Sequence, residues 1–234
     1  MTSQQKQRGF TIVELLIVIV VIGILAAITI VSFNGVQEKA RLTTAQSYAA
    51  QIRRSPDILN ATAIWNFNEC SGSTISDSSE VRNSGTVVGT ATWSSDTPSG
   101  TGCSMSLDGA TRITTSALIG TSYYMKAAWV KTSSCGGSNN FMSGDGSAFY
   151  GCNLRAGHNG VWTTLTSSTQ VGDGKWHHIA LIYDAGSLSM YVDGRQTATA
   201  AGVVTPSSLV TTIGALNSAN YYTGLIDDVV IIAR

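Results

Sequence analysis

Glu14 is the residue of this chain that most needs a physical explanation. It stands alone in "FTIVELLIVIVVIGILAAITIV", residues 10–31, where almost every neighbour is apolar. A carboxylate at the centre of a membrane helix costs on the order of 2.5–3.5 kcal/mol. A nearby positive charge would offset that cost, since two unit charges about 4 Å apart attract by about 4 kcal/mol at an effective dielectric near 20. The other chemistry-bearing residues lie beyond residue 60. Four cysteines, Cys70, Cys103, Cys135 and Cys152, form an even set with no C-x-x-C pair, which points to disulfides in an oxidising compartment. Three pairings are open; the two local closures, Cys70–Cys103 and Cys135–Cys152, are the expected ones. His177 and His178 are adjacent in a strand-like phrase, so their side chains point to opposite faces and cannot share one metal or dyad. They read as framework residues.

Oxygen ligands for calcium are offered by Asp227-Asp228, Asp108 and Asn68-Glu69, with Asp228 the best single candidate. Calcium is thus allowed, and no other cofactor is called for. Sugar binding needs exposed aromatic platforms. Tyr123 and Tyr124 in "TSYYMK", Trp162 in "GVWTT", and Tyr221 and Tyr222 in "SANYYTG" are the candidates. Trp65, Trp129 and Trp176 lie within strand phrases and read as core. No Ser-His-Asp or Cys-His arrangement stands out, and the chain is not expected to be an enzyme.

These residues need two kinds of element to position them. The 234 residues carry 14 basic and 14 acidic side chains, so no basic footprint for nucleic acid is present. From Phe10 to Val31 a helix would rise roughly 33 Å, enough for a bilayer core of about 30 Å. Lys6 and Arg8 flank it, as in a signal anchor whose basic side stays in the cytoplasm. The pattern then turns amphipathic in "VQEKARLTTAQSYAAQIRR", where Leu42, Ala45, Tyr48, Ala49 and Ile52 recur at helical spacing and face a globular partner. Pro56 ends the helix. Gly23 and Gly35 are its weak points for a bend.

After residue 60 the period becomes two. In "AIWNF" Ile64 opposes Trp65 and Phe67. "WHHIALIYD" is apolar on both faces, as a covered strand should be. "SLSMYVDG" alternates and ends in the hairpin-turn pair Asp193-Gly194. Twenty-four glycines and three prolines suit short strands and tight turns. The fold class is α+β: a long N-terminal hydrophobic helix followed by an all-β antiparallel jelly-roll sandwich.

Two resemblances sharpen this. "RGFTIVELLIVIVVIGILAAI" resembles the N-terminus of type IV prepilins: a short basic leader ending in Gly9, then Phe10, then Glu14. The resemblance implies that a prepilin peptidase cuts between Gly9 and Phe10 and that the new amine of Phe10 is methylated. It further implies that Glu14 faces the Phe10 ammonium of a neighbouring subunit during assembly. The proline many pilins carry further along this helix is missing here. The stretches "IWNFNECSGSTISDSS", "NSGTVVG", "CSMSLDG", "AAWVKT", "GKWHHIALIYDAGSLSMYVDGRQTA" and "GLIDDVVII" are similar, in order, to the laminin G-like branch of the concanavalin A-like lectins and glucanases. That implies a curved sandwich with first and last strands adjacent. The glucanases of that group use two glutamates bracketing an aspartate; Glu69 and Glu80, the two glutamates of the head, lie in no such motif.

The expected organisation is a leader at 1–9, a pilin helix at 10–55, a linker at 56–63 and a laminin G-like head at 64–234. The expected function is a structural subunit of a type IV pilus or pilus-like filament, with a lectin-like head on the cell surface. The alternatives are a minor pilin or tip adhesin binding glycans, and a pseudopilin of a type II-like secretion system. Partners are other pilin subunits, the prepilin peptidase, the inner (cytoplasmic) membrane before assembly, and a surface glycan or host-cell ligand.

Overall fold

The computed structural model describes residues 11–117, 119–120, 122–136, 139–144, 146–207, 210–216 and 218–234, with only the backbone at Val31, Ser32 and Asn34. The first element of the described residues is a long helix, α1 (Ile12–Arg54). It runs through Gly23 and Gly35 without interruption, so neither weak point breaks it. The chain divides into two compact units, residues 1–41 and 42–234.

In the first unit, the apolar residues from Ile12 to Ile30 are exposed on all sides of α1. The segment is long and apolar enough to cross a membrane. Toward its end Glu38 and Arg41, one turn apart, form an ion pair at 2.5 Å, a helix-surface contact worth a few tenths of a kcal/mol, about 0.2–0.5.

The second unit begins inside α1. After a short 3-10 turn at Pro56–Asn60, β1 (Ala61–Trp65) starts the head, so the stretch 56–63 holds that turn and the first part of a strand rather than irregular chain. The next strands are β2 (Thr74–Ile75), β3 (Gly85–Val88), β4 (Thr92–Ser94), β5 (Ser104–Asp108) and β6 (Arg112–Thr114). Then come β7 (Tyr123–Lys131), β8 (Met142–Ser143), β9 (Ser147–Tyr150), β10 (Arg155–His158) and β11 (Val161–Thr166). The chain closes with β12 (Trp176–Asp184), β13 (Ser187–Val192), β14 (Arg195–Ala200), β15 (Thr212–Ile213) and β16 (Thr223–Ala233).

An eight-stranded antiparallel sheet runs β14-β13-β12-β7-β16-β5-β4, with β1 also paired to β16. First and last strands of the head are therefore neighbours. A five-stranded sheet, β2-β3-β6-β15-β8, and a three-stranded one, β11-β10-β9, complete the sandwich. The main core lies between layers and includes Trp65, Phe67, Tyr124, Val130, Ile179, Leu181, Met190 and Ile231.

The outer face of the large sheet is also covered at β7 and β12, which is why these strands are apolar on both sides. Ile52 and Tyr48 of α1 pack on Tyr123, Met125, Ala127, Ala180 and Ile232. Ala45, with Leu42 and Ala49, covers Trp129 and Trp176. The helical stripe read from the sequence is the stripe that docks. The Asp193-Gly194 turn joins β13 to β14 with both residues at positive φ, 51° and 78°, the backbone that a two-residue hairpin of this type requires. Both disulfides are the local ones, Cys70–Cys103 and Cys135–Cys152.

Candidate functional site

At the start of α1, the Thr11 N–H and the Thr11 hydroxyl both donate to Glu14 Oε2 at 2.8 Å, and the Glu14 N–H donates to Thr11 Oγ1 at 3.3 Å. This is a capping box: the first backbone donors of a helix have no partner one turn back, and Thr-x-x-Glu supplies them. The spacing Thr11-Ile12-Val13-Glu14 carries that signal in the sequence, and the reading above passed over it. Gly9 and Phe10, the expected processing and pairing residues, lie outside the described residues. The carboxylate is fully exposed, as are the apolar side chains around it.

Where α1 meets the head, a polar row lies under the helix. His178 and Asp227 are the cross-strand neighbours of Trp129 on either side, so the three side chains share the face that α1 covers. His178 is buried; its Nδ1 has no hydrogen-bond partner among the described residues, and burial pulls its pKa down to about 4. Asp227 is buried and pushed up to about 8, by burial first and by the neighbouring Asp228 charge second.

Asp228 sits at φ 49°, where the pairing of β16 with β7 slips by one residue. That bulge turns its carboxylate onto the guanidinium of Arg53, Oδ1 to Nη2 2.9 Å. The oxygen ligand the sequence offered to calcium is thus committed to an arginine 175 positions away. Asp108 accepts from the N–H groups of Ala110 and Thr111, and Glu69 from that of Ser76, as turn acids do. Among the described residues no group of three or more His, Cys, Asp or Glu side chains is placed to hold a metal ion.

The aromatic candidates separate sharply. Tyr124 and Tyr222 are fully buried and Tyr123 is 9% exposed, so these three are core residues and not sugar platforms. At the start of β7 the pair Tyr123-Tyr124 puts one ring in each covered face, because both faces of the large sheet are buried there. The Tyr124 hydroxyl lies 2.7 Å from His158 Nε2 and 3.1 Å from Ser147 Oγ. Beside it Lys126, also fully buried, donates to Met142 O at 3.2 Å and Ser147 Oγ at 3.0 Å, and burial pulls its pKa down to about 7. The Tyr222 hydroxyl donates to Lys131 O and Leu225 O, both at 3.0 Å. Trp162 and Tyr221 remain half-buried; Arg112 donates to the Tyr221 hydroxyl at 3.1 Å. His177 bridges Asp193 (2.8 Å) and Asp173 (3.0 Å), away from His178, as strand geometry requires.

With this geometry the chain can be placed. The family model of the concanavalin A-like lectin/glucanases superfamily matches residues 106–234, and the chain belongs to that superfamily. A second model, the prokaryotic N-terminal methylation motif, matches residues 4–30, so the chain also carries a type IV pilin-like N-terminus. The Type II secretion system core protein G of Escherichia coli (strain K12) is 38% identical over 58 residues, 25% of this chain. The chain spans only 40% of that relative's length. Among solved structures, domain 4 of AbnA, an extracellular arabinanase from Geobacillus stearothermophilus, in complex with arabinotriose, superposes with a TM-score of 0.59 at 18% identity. The match covers 74% of this chain and 92% of that domain. The botulinum neurotoxin type G receptor binding domain superposes with a TM-score of 0.55 at 15% identity, over 75% of this chain and 48% of that one. At such identities the likeness is one of fold.

Proposed function

We propose that this chain is a filament subunit of the type IV pilin class that polymerises through α1 and displays a non-catalytic, lectin-like head at the cell surface. One observation carries the reading. From Ile12 to Ile30 a long helix exposes apolar side chains on every side and bears a single carboxylate, Glu14, within the methylation motif. Such a surface is stable only in a bilayer or against other copies of itself, and a lone carboxylate there needs a cation. The Phe10 amine of a neighbouring subunit, freed by a prepilin peptidase cutting after Gly9, supplies one. Burying the two charges together is tolerable, whereas burying either alone costs about 3–5 kcal/mol. A domain in complex with arabinotriose and a toxin's receptor binding domain share the head's fold, which supports a binding role on glycans or a host cell.

A second reading, a pseudopilin of a type II-like secretion system, is favoured by the N-terminal likeness to core protein G. Fractionation separates the two. Mass spectrometry of sheared surface fibres should find a mature chain beginning at methylated Phe10. Recovery of that chain only from the envelope, with none in sheared fibres, would select the pseudopilin. An uncut chain beginning at Met1 in the surface fraction would sink both.

A further inference from the structure

The head has an open cavity of about 230 Å³ at the three-stranded sheet, distant in the topology from the strands that α1 covers. Its polar walls are Tyr150, Asn153, Arg155 and Gln170, and the Cys135–Cys152 disulfide borders it. Resting on the lectin-like reading of the head, we propose that this cavity is its glycan site and takes one acidic sugar ring, a pyranose bearing a carboxylate, at the end of a glycan.

The arrangement of hydrogen-bonding groups argues for it. None of these four side chains makes a hydrogen bond or ion pair among the described residues. Arg112 and Lys131, two other cations of the head, are by contrast bonded locally, to Tyr221 and Asp96. Tyr150 and Arg155 are half-buried and Asn153 and Gln170 exposed, so all four groups are open to a partner from outside the protein. The guanidinium of Arg155 fits a carboxylate through two parallel hydrogen bonds, and among the described residues no acidic side chain lines the cavity to compete for it. The Tyr150 ring, half-buried, supplies the flat apolar surface on which the C–H face of a sugar ring rests. The amides of Asn153 and Gln170 each offer a donor and an acceptor to hydroxyl groups. Drug-sized ligands occupy about 300–1,000 Å³, so this smaller cavity suits a single ring.

The site is also held in shape before any ligand arrives. Tyr150 and Arg155 are paired directly across β9 and β10, so their side chains emerge side by side. The disulfide ties the turn at Cys152, between β9 and β10, to the chain at Cys135. Gly172 is packed so closely on the two sulfurs that a Cβ there would lie 2.2 Å from one of them. The neighbouring Val171 N–H donates to Cys152 O at 2.9 Å, which anchors the segment carrying Gln170. Such preorganisation lowers the ordering cost of binding.

The test uses the full chain in detergent micelles, titrated by calorimetry with sialyllactose, with a glucuronic-acid-terminated disaccharide and with neutral lactose. Either acidic sugar should bind at least roughly tenfold more tightly than lactose, the worth of one charge-assisted contact. Arg155→Gln should abolish that preference, and Tyr150→Ala should weaken all binding roughly tenfold, with near-ultraviolet circular dichroism unchanged in both. Arg155→Lys, which keeps the charge and loses the fork, should retain part of the preference. Acidic-sugar binding that survives both Arg155→Gln and Tyr150→Ala overturns the cavity and leaves the lectin-like reading standing. Equal or better binding of lactose overturns the acidic class. Binding of none of the three overturns the proposal, while a broad glycan panel on the same protein judges the lectin-like reading separately.

Discussion

Thr11 and Glu14 close a capping box at the first turn of α1, so within one chain the carboxylate already has two donors, the Thr11 N–H and hydroxyl. This separates two roles that a single Glu14 substitution would confound. A cap stabilises its helix by about 1 kcal/mol, whereas a counter-charge for a neighbour's amine decides assembly.

Thr11→Val removes the hydroxyl half of the cap and keeps the Glu14 charge, while Glu14→Ala removes the carboxylate half of the cap together with the charge. If Glu14 pairs with a neighbour's Phe10 amine, Thr11→Val should leave sheared filament per cell close to normal and Glu14→Ala should abolish it, with leader cleavage intact in both. Glu14→Gln should behave like Glu14→Ala. Equal filament loss in Thr11→Val and Glu14→Ala would reduce Glu14 to a cap; normal yield in all three would leave a plain anchor.

The division of the chain at Leu42 predicts where it can be cut. Residues 42–54 cover Met125, Trp129, Ala180 and Ile232 on the outer face of the large sheet. A chain starting at Leu42 should be soluble, monomeric and rich in β structure. One starting at Ile58 exposes that apolar face and should aggregate or melt several degrees lower, read by size-exclusion chromatography and thermal unfolding. Identical melting of the two would mean the helix contributes nothing to the head.

Lys126 predicts a pH dependence of stability. Its folded pKa, about 7, lies below the ordinary lysine value of 10.5 because burial disfavours its charge. Between those values the unfolded chain binds more protons than the folded one, so stability rises with pH across the window. The penalty is complete at and below pH 7. Lys126→Met should therefore raise stability in urea titrations of residues 42–234 at pH 7, less about 1 kcal/mol for the acceptors left at Met142 and Ser147. The difference between variant and parent should shrink toward pH 10. A constant difference would mean that Lys126 stays charged when folded. Asp227 works in the opposite sense below pH 8, which is why the comparison must be between variant and parent.

Gly194 and Gly202 have similar backbones, φ 78° and 72°, in different surroundings. A Cβ on Gly194 would lie 3.0 Å from Tyr48 Cβ, whereas nothing stands within 4 Å at Gly202. Gly202→Ala should cost only the left-handed backbone strain, about 1–2 kcal/mol. Gly194→Ala should cost more, because the hairpin turn must back away from α1. Equal costs in denaturant titrations would show that the turn does not press on the helix.

Much of this molecule is legible in local pattern, because the physics there is local. The apolar run and its lone carboxylate, the docking stripe Leu42–Ala45–Tyr48–Ala49–Ile52, the doubly apolar strand at 176–184 and the turn at Asp193-Gly194 follow from periods of 3.6 and 2 and from backbone sterics. The disulfide pairing followed from short loops. Tertiary structure decided what depends on register and on which faces are covered. Tyr123, Tyr124 and Tyr222 stood as candidate sugar platforms until the sheets showed them buried. Asp228 looked like a calcium ligand until a one-residue bulge turned it onto Arg53. Tyr150 and Arg155 drew no notice in "FYGCNLR", since only the pairing of β9 with β10 sets them side by side at a cavity. A period states which face a side chain takes; only the assembled sheets state what lies opposite that face.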